Sequence, residues 1–139
     1  MDDIRWRLRF ENFQGALSLL ADAVALLESG DASQLEREGT IQRFEYTWEL
    51  AWKTLRDFLI HSGVQLPSLT PANVIRAAFE ADLIGDGDAW IAAMKARNQM
   101  SHEYDCIAFE RIVAAISTLY FPLLSSLKAK LEAEVDAGH

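Results

Sequence analysis

The sequence predicts an all-α protein, an antiparallel up-and-down four-helix bundle with one short extra helix. Three observations carry that prediction. Apolar residues recur at alternating steps of three and four along most of the chain, the spacing that lines one face of a helix. Caps and stops break the pattern at Gly30, Ser33, Gly63, Thr70 and Gly85. No segment shows the period-two alternation of a half-buried strand, and no repeat or low-complexity run appears.

The first helix places Trp6, Phe10, Phe13, Leu17, Leu20, Val24 and Leu27 on one face and stops at Gly30. Gly15 inside it costs about 1 kcal/mol relative to alanine unless a neighbour packs closely there. Ser33 and Glu36 offer a capping box for the second helix. Its seam is Ile41, Phe44, Trp48, Ala51, Leu55 and Phe58, widened by Trp52 and Leu59 toward a second neighbour. Thr70-Pro71 starts a short helix, because proline in the first turn lacks only an N–H that has no partner anyway. That helix should bury Val74, Ile75 and Phe79. Asp86 or Asp88 then caps a helix bearing Trp90, Ile91 and Met94. The last helix shows Phe109, Val113, Ile116, Tyr120, Leu123, Leu127 and Leu131, with a kink expected at Pro122. Residues 133–139 are expected to fray.

At 139 residues the chain reads as one domain, 1–139, long enough to close a core. Its 21 acidic against 13 basic residues give a formal charge of −8, which repels nucleic acid on average. Any RNA contact therefore needs a local basic patch or a partner's surface. A single cysteine, Cys106, fits a reducing compartment. Three scattered histidines give no cluster of soft ligands, so neither a metal nor a cofactor is expected. The charged N-terminus carries no continuous apolar run, so no signal peptide, membrane span or membrane contact is expected, and the location expected is cytoplasmic.

Chemistry is concentrated in Arg97-Asn98-Gln99-Met100-Ser101-His102-Glu103-Tyr104-Asp105. If one helix runs through it, Asn98 and His102 share a face, as do Arg97 and Ser101. The Asn98/His102 row continues from Ile91 and Met94 and should point toward the core. A structural reading has Arg97 serving the last carbonyls of its helix and His102 bonded in the core. Trp48 and Trp52 read as core, and Glu45, Glu49 and Asp57 as a solvated face. Glu49 and Lys53 form an ordinary (i, i+4) pair, and His61 sits well at a helix C-terminus. The chemical reading is metal-free cleavage of an RNA phosphodiester. That reaction needs a base for the 2′-hydroxyl proton, an acid for the leaving oxygen and a cation at phosphorus. Histidine suits the proton roles near neutrality, and arginine's planar fork suits phosphate. One His102 cannot hold both proton roles at once, whereas a two-fold dimer brings a second copy.

Arg97, His102 and Tyr104 reproduce the Arg-x4-His-x-Tyr signature of the HEPN superfamily. The chain resembles its nucleotidyltransferase substrate-binding branch, which grades into the HepT-type toxins of toxin–antitoxin pairs. Two further blocks, Ile41 to Lys53 and Pro71 to Phe79, extend the resemblance over about residues 5 to 130. It implies a homodimer and a separately encoded minimal nucleotidyltransferase partner. The chain has no Gly-Ser followed by an Asp-x-Asp pair, the pattern of such a transferase. It implies Arg97 as phosphate stabiliser, His102 as acid/base, Asn98 and Ser101 in support, and Tyr104 as acceptor of an AMP group from the partner. That modification silences an endoribonuclease in the toxin members. The alternative is a non-catalytic subunit that presents substrate to the transferase.

Overall fold

The fold grows from a long helical hairpin. In the computed structural model, which describes residues 2–100 and 106–138, α1 spans Asp2–Ser29 and α2 spans Gln34–His61. Gly30 turns the chain at φ +81°, a conformation that other residues rarely adopt. The capping box forms as expected: the Glu36 N–H donates to Ser33 Oγ at 3.1 Å, and the Ser33 N–H donates to Glu36 Oε1 at 2.9 Å. The bond its carboxyl accepts from the Ser33 N–H, aided by the Ser33 hydroxyl, holds Glu36 below its ordinary pKa.

Two side-chain bonds set the antiparallel register. Arg9 Nε donates to Asp57 Oδ2 at 2.8 Å, and Arg43 Nη1 donates to the Leu19 carbonyl at 2.7 Å. Thr40, Thr47 and Thr54 recur every seventh residue along α2 and are all buried. Each hydroxyl donates to the carbonyl four residues back, at 2.6–2.9 Å, so none needs a polar partner on another helix. Asp57 departs from expectation. It is buried rather than part of a solvated face, because Arg9 reaches across from α1 and Arg56 Nε adds a bond at 3.0 Å.

Aromatic pairs tie the other elements to α2. Trp6 meets Phe58 edge-on at 4.8 Å, Phe44 stacks on Tyr120 at 5.4 Å, and Trp48 meets Trp90 at 5.2 Å. Fully buried side chains such as Phe44, Leu55 and Ile75 contribute roughly 1.5–3 kcal/mol each through apolar burial. The expected double-sided role of α2 is met: it packs against α1 on one flank and against α3, α4 and α5 on the other.

Helix α3, Pro71–Glu80, starts at Thr70 as the sequence implied and buries Val74, Ile75 and Ala78. Phe79 does not enter the core and is 50 % exposed. Leu83 and Ile84, just beyond the helix, occupy the interior instead. The Phe79 ring lies on the start of α4, where a Cβ at Gly87 would stand 3.3 Å from it. Helix α4 runs Gly87–Met100, capped by Asp86, whose Oδ1 accepts from the Ala89 N–H at 3.0 Å.

The final helical stretch consists of α5, Cys106–Ala115, a π turn, Ile116–Tyr120, and α6, Phe121–Asp136. Pro122 was expected as a kink inside one α-helix. Instead the Phe121 N–H bonds back five residues to the Ile116 carbonyl, and Pro122 falls in the first turn of α6, where its missing N–H is harmless. Leu124 takes the core position expected of Leu123, which stays half-buried. Residues 133–136 are helical rather than frayed, with Val135 packed against the core. By length and composition Ala108–Asp136 would suffice to cross a membrane, but its Ile116, Leu124, Leu127 and Leu131 are buried in the bundle core.

Candidate functional site

Helix α4 presents Trp90, Ala93 and Met100 to the core. Steps of three and four from Trp90 and Ala93 reach position 97 before Met100, so Arg97 occupies a place in the core seam that a structural sequence would give to leucine. Its side chain is 34 % exposed. Arg97 Nε is buried and has no hydrogen-bond acceptor among the described residues. The expected core row through Ile91, Met94 and Asn98 lies to one side of this seam. Ile91 and Met94 are half-buried there, and Asn98 is exposed. The seam had already been taken by the larger Trp90.

Across the α2–α4 seam stands Glu49. Its Oε2 lies 3.8 Å from Arg97 Nη2, and its Oε1 lies 3.4 Å from Lys53 Nζ. The carboxylate is thus shared by a cation on each helix. Glu49 was expected on a solvated face in an ordinary pair with Lys53. The pair is present, and the link to Arg97 is what sequence reasoning missed. The available signal was its place beside Trp48 and Trp52, which widen the apolar stripe toward a second helix.

One helical turn beyond Arg97, Met100 joins Ile41, Phe109 and Ile112 in lining a groove of about 340 Å³. Glu38, Gln42 and Glu45 form its polar wall. Ser101, His102 and Tyr104 lie outside the described residues, which reach Met100 in α4. Among the described residues, no group of three or more His, Cys, Asp or Glu side chains could hold a metal ion.

A family model described as nucleotidyltransferase substrate binding protein like matches residues 8–133. The chain belongs to this nucleotidyltransferase substrate-binding, HepT-like family. The match spans α1 to α6, including Glu49, Lys53 and Arg97, and agrees with the resemblance seen in the three sequence blocks. A curated protein named probable ribonuclease HepT, from Haemophilus influenzae, is 33 % identical over 70 residues. That alignment covers 48 % of this chain and 48 % of the relative, so the chain spans about half the length of the curated protein it matches. A crystal structure of a protein from Thermus thermophilus shares the fold at a TM-score of 0.76 and 30 % identity, covering 86 % of this chain and 98 % of that one. The family name ties substrate-binding proteins of this kind to nucleotidyltransferases.

Proposed function

We propose that this family member is a toxin-like, metal-independent endoribonuclease that works as a homodimer and is paired with a minimal nucleotidyltransferase. The observation that carries the reading is Arg97, a partly exposed cation in a core seam, five residues before His102. The fold gains only a loose ion pair from a guanidinium there and leaves Nε buried with no acceptor among the described residues. Arg97 stabilises the crowded charge at phosphorus. One His102 takes the proton from the 2′-hydroxyl as that oxygen attacks phosphorus. A second, from the other copy, gives a proton to the departing 5′-oxygen. Asn98 and Ser101 support the pair. The partner silences the site when the Tyr104 oxygen attacks the α-phosphorus of ATP and releases pyrophosphate. The AMP then stands two residues from His102 and blocks RNA by charge and by volume.

The test is cleavage of total RNA and tRNA in EDTA by the purified dimer, beside folded Arg97→Ala and His102→Ala variants. Cleavage that both variants lose is the expected result. Absence of cleavage by unmodified wild type sinks the ribonuclease reading. Addition of partner and ATP is expected to add one adenylyl group to the intact mass, at Tyr104, and to stop cleavage.

A second reading is favoured by the acidic wall of Glu38 and Glu45 and the net charge of −8. In that reading the chain is a non-catalytic subunit that presents a substrate to the transferase. It predicts a stable complex with the partner and no cleavage by either protein.

A further inference from the structure

Glu38, Gln42, Glu45, Glu49, Lys53 and Arg56 follow one another along α2 at steps of three and four, and the charge changes sign at Glu49. Arg97 meets the row at that point. At 3.8 Å the Glu49–Arg97 contact is an ion pair but too long for a hydrogen bond. The carboxylate therefore directs the guanidinium without occupying its Nη donors. Lys53 holds the other carboxylate oxygen toward α2 at 3.4 Å and keeps Glu49 from closing on Arg97 as a two-bond fork. Arg97 Nε finds no acceptor among the described residues, and no other carboxylate in them pairs with this guanidinium.

We propose that Glu49 is the positioning residue of the Arg97 site: anchored by Lys53, it directs the guanidinium in the α2–α4 seam without taking a hydrogen bond from either Nη group. Lys53, Arg97 and Glu49 together carry one net positive charge, with Glu45 one turn away on the same row. The cleavage readout rests on the ribonuclease reading. The geometry does not.

The experiment pairs two readouts on Glu49→Gln, which keeps the shape and removes the charge. The first is the NMR signal of the Arg97 guanidinium, assigned by its loss in Arg97→Lys. In wild type the Arg97 Nε–Hε group is expected to be ordered on the nanosecond timescale, and in Glu49→Gln mobile. The second is steady-state RNA cleavage. KM is expected to fall or hold, because a negative charge has gone, while kcat falls by about tenfold as the fork loses its aim. A partly unfolded sample would lower kcat with KM fixed and would show it in the remaining amide spectrum. Glu49→Asp, charged but shorter, is expected to recover part of both signals. Unchanged Arg97 signals in Glu49→Gln overturn the proposal, as does altered Arg97 motion with kcat and KM both at wild-type values. If unmodified wild type does not cleave, the ribonuclease reading fails, and the guanidinium signals alone decide whether Glu49 positions Arg97.

Discussion

Two arginine–carboxylate contacts in this bundle use the same chemical groups for different ends. At one end of the hairpin, Arg9 and Asp57 meet at 2.8 Å with the Asp57 side chain only 2 % exposed, and Arg56 adds a second bond. In the α2–α4 seam, Arg97 and Glu49 stand 3.8 Å apart, each about one-third exposed, with Glu49 divided between two cations. The first carboxylate is closed off and saturated, which suits an element that fixes helix register. The second is left loose, and its arginine retains donors for something else. The tight pair lies in the α1–α2 interface and the loose one in the α2–α4 seam.

The comparison breaks most visibly at Asp57. Asp57→Ala should lower unfolding free energy by about 2–3 kcal/mol, below the full cost of orphaning a buried pair because Arg9 and Arg56 can still reach water. Chemical denaturation of the variant checks this, and a loss under about 0.5 kcal/mol would place Asp57 with ordinary surface charges. Arg9→Ala should cost less, about 1–2 kcal/mol, since Asp57 keeps the bond from Arg56. Glu49→Gln, by contrast, should shift stability by only a few tenths of a kcal/mol, as expected of a partly exposed pair. The smallest effect concerns pH. Bonds to Ser33 depress the Glu36 pKa below 4.5, so its capping contribution is fully present above that value and fades as pH falls through the depressed one. An acid titration of Glu36→Gln should accordingly show less loss of stability below pH 4.5 than wild type.

Most of the bundle was legible because its signals are local. The three-and-four spacing, the Ser33 capping box and the Thr70-Pro71 start all appear in the structure where the sequence put them. What escaped depends on contacts between helices. Asp57 looked solvated because nothing within α2 indicates that Arg9 arrives from α1. Phe79 looked buried because periodicity cannot show that Leu83 and Ile84 fill the same space first. The π turn before Pro122 inserts a residue that a strict α repeat does not anticipate, which moved the core position from Leu123 to Leu124. At the site, Arg97 stood out through its motif, yet the row expected at the core ran through Asn98, which is exposed. Glu49 is invisible in its own helix, where its pairing with Lys53 explains it completely. His102, Ser101 and Tyr104 lie outside the described residues, and their roles rest on the motif.

The central claim is that Arg97 is kept for chemistry and not for the fold. Arg97→Leu tests it most directly, with denaturant unfolding and RNA cleavage measured on the same preparation. Leucine suits the seam of Trp90, Ala93 and Met100 and removes a buried Nε that has no acceptor among the described residues. Stability should hold or rise by about 1 kcal/mol while cleavage is lost, the exchange expected where a functional group occupies a core position. A loss of more than about 2 kcal/mol, with cleavage falling only as the unfolded fraction grows, would contradict the claim and make Arg97 a structural tie like Arg9.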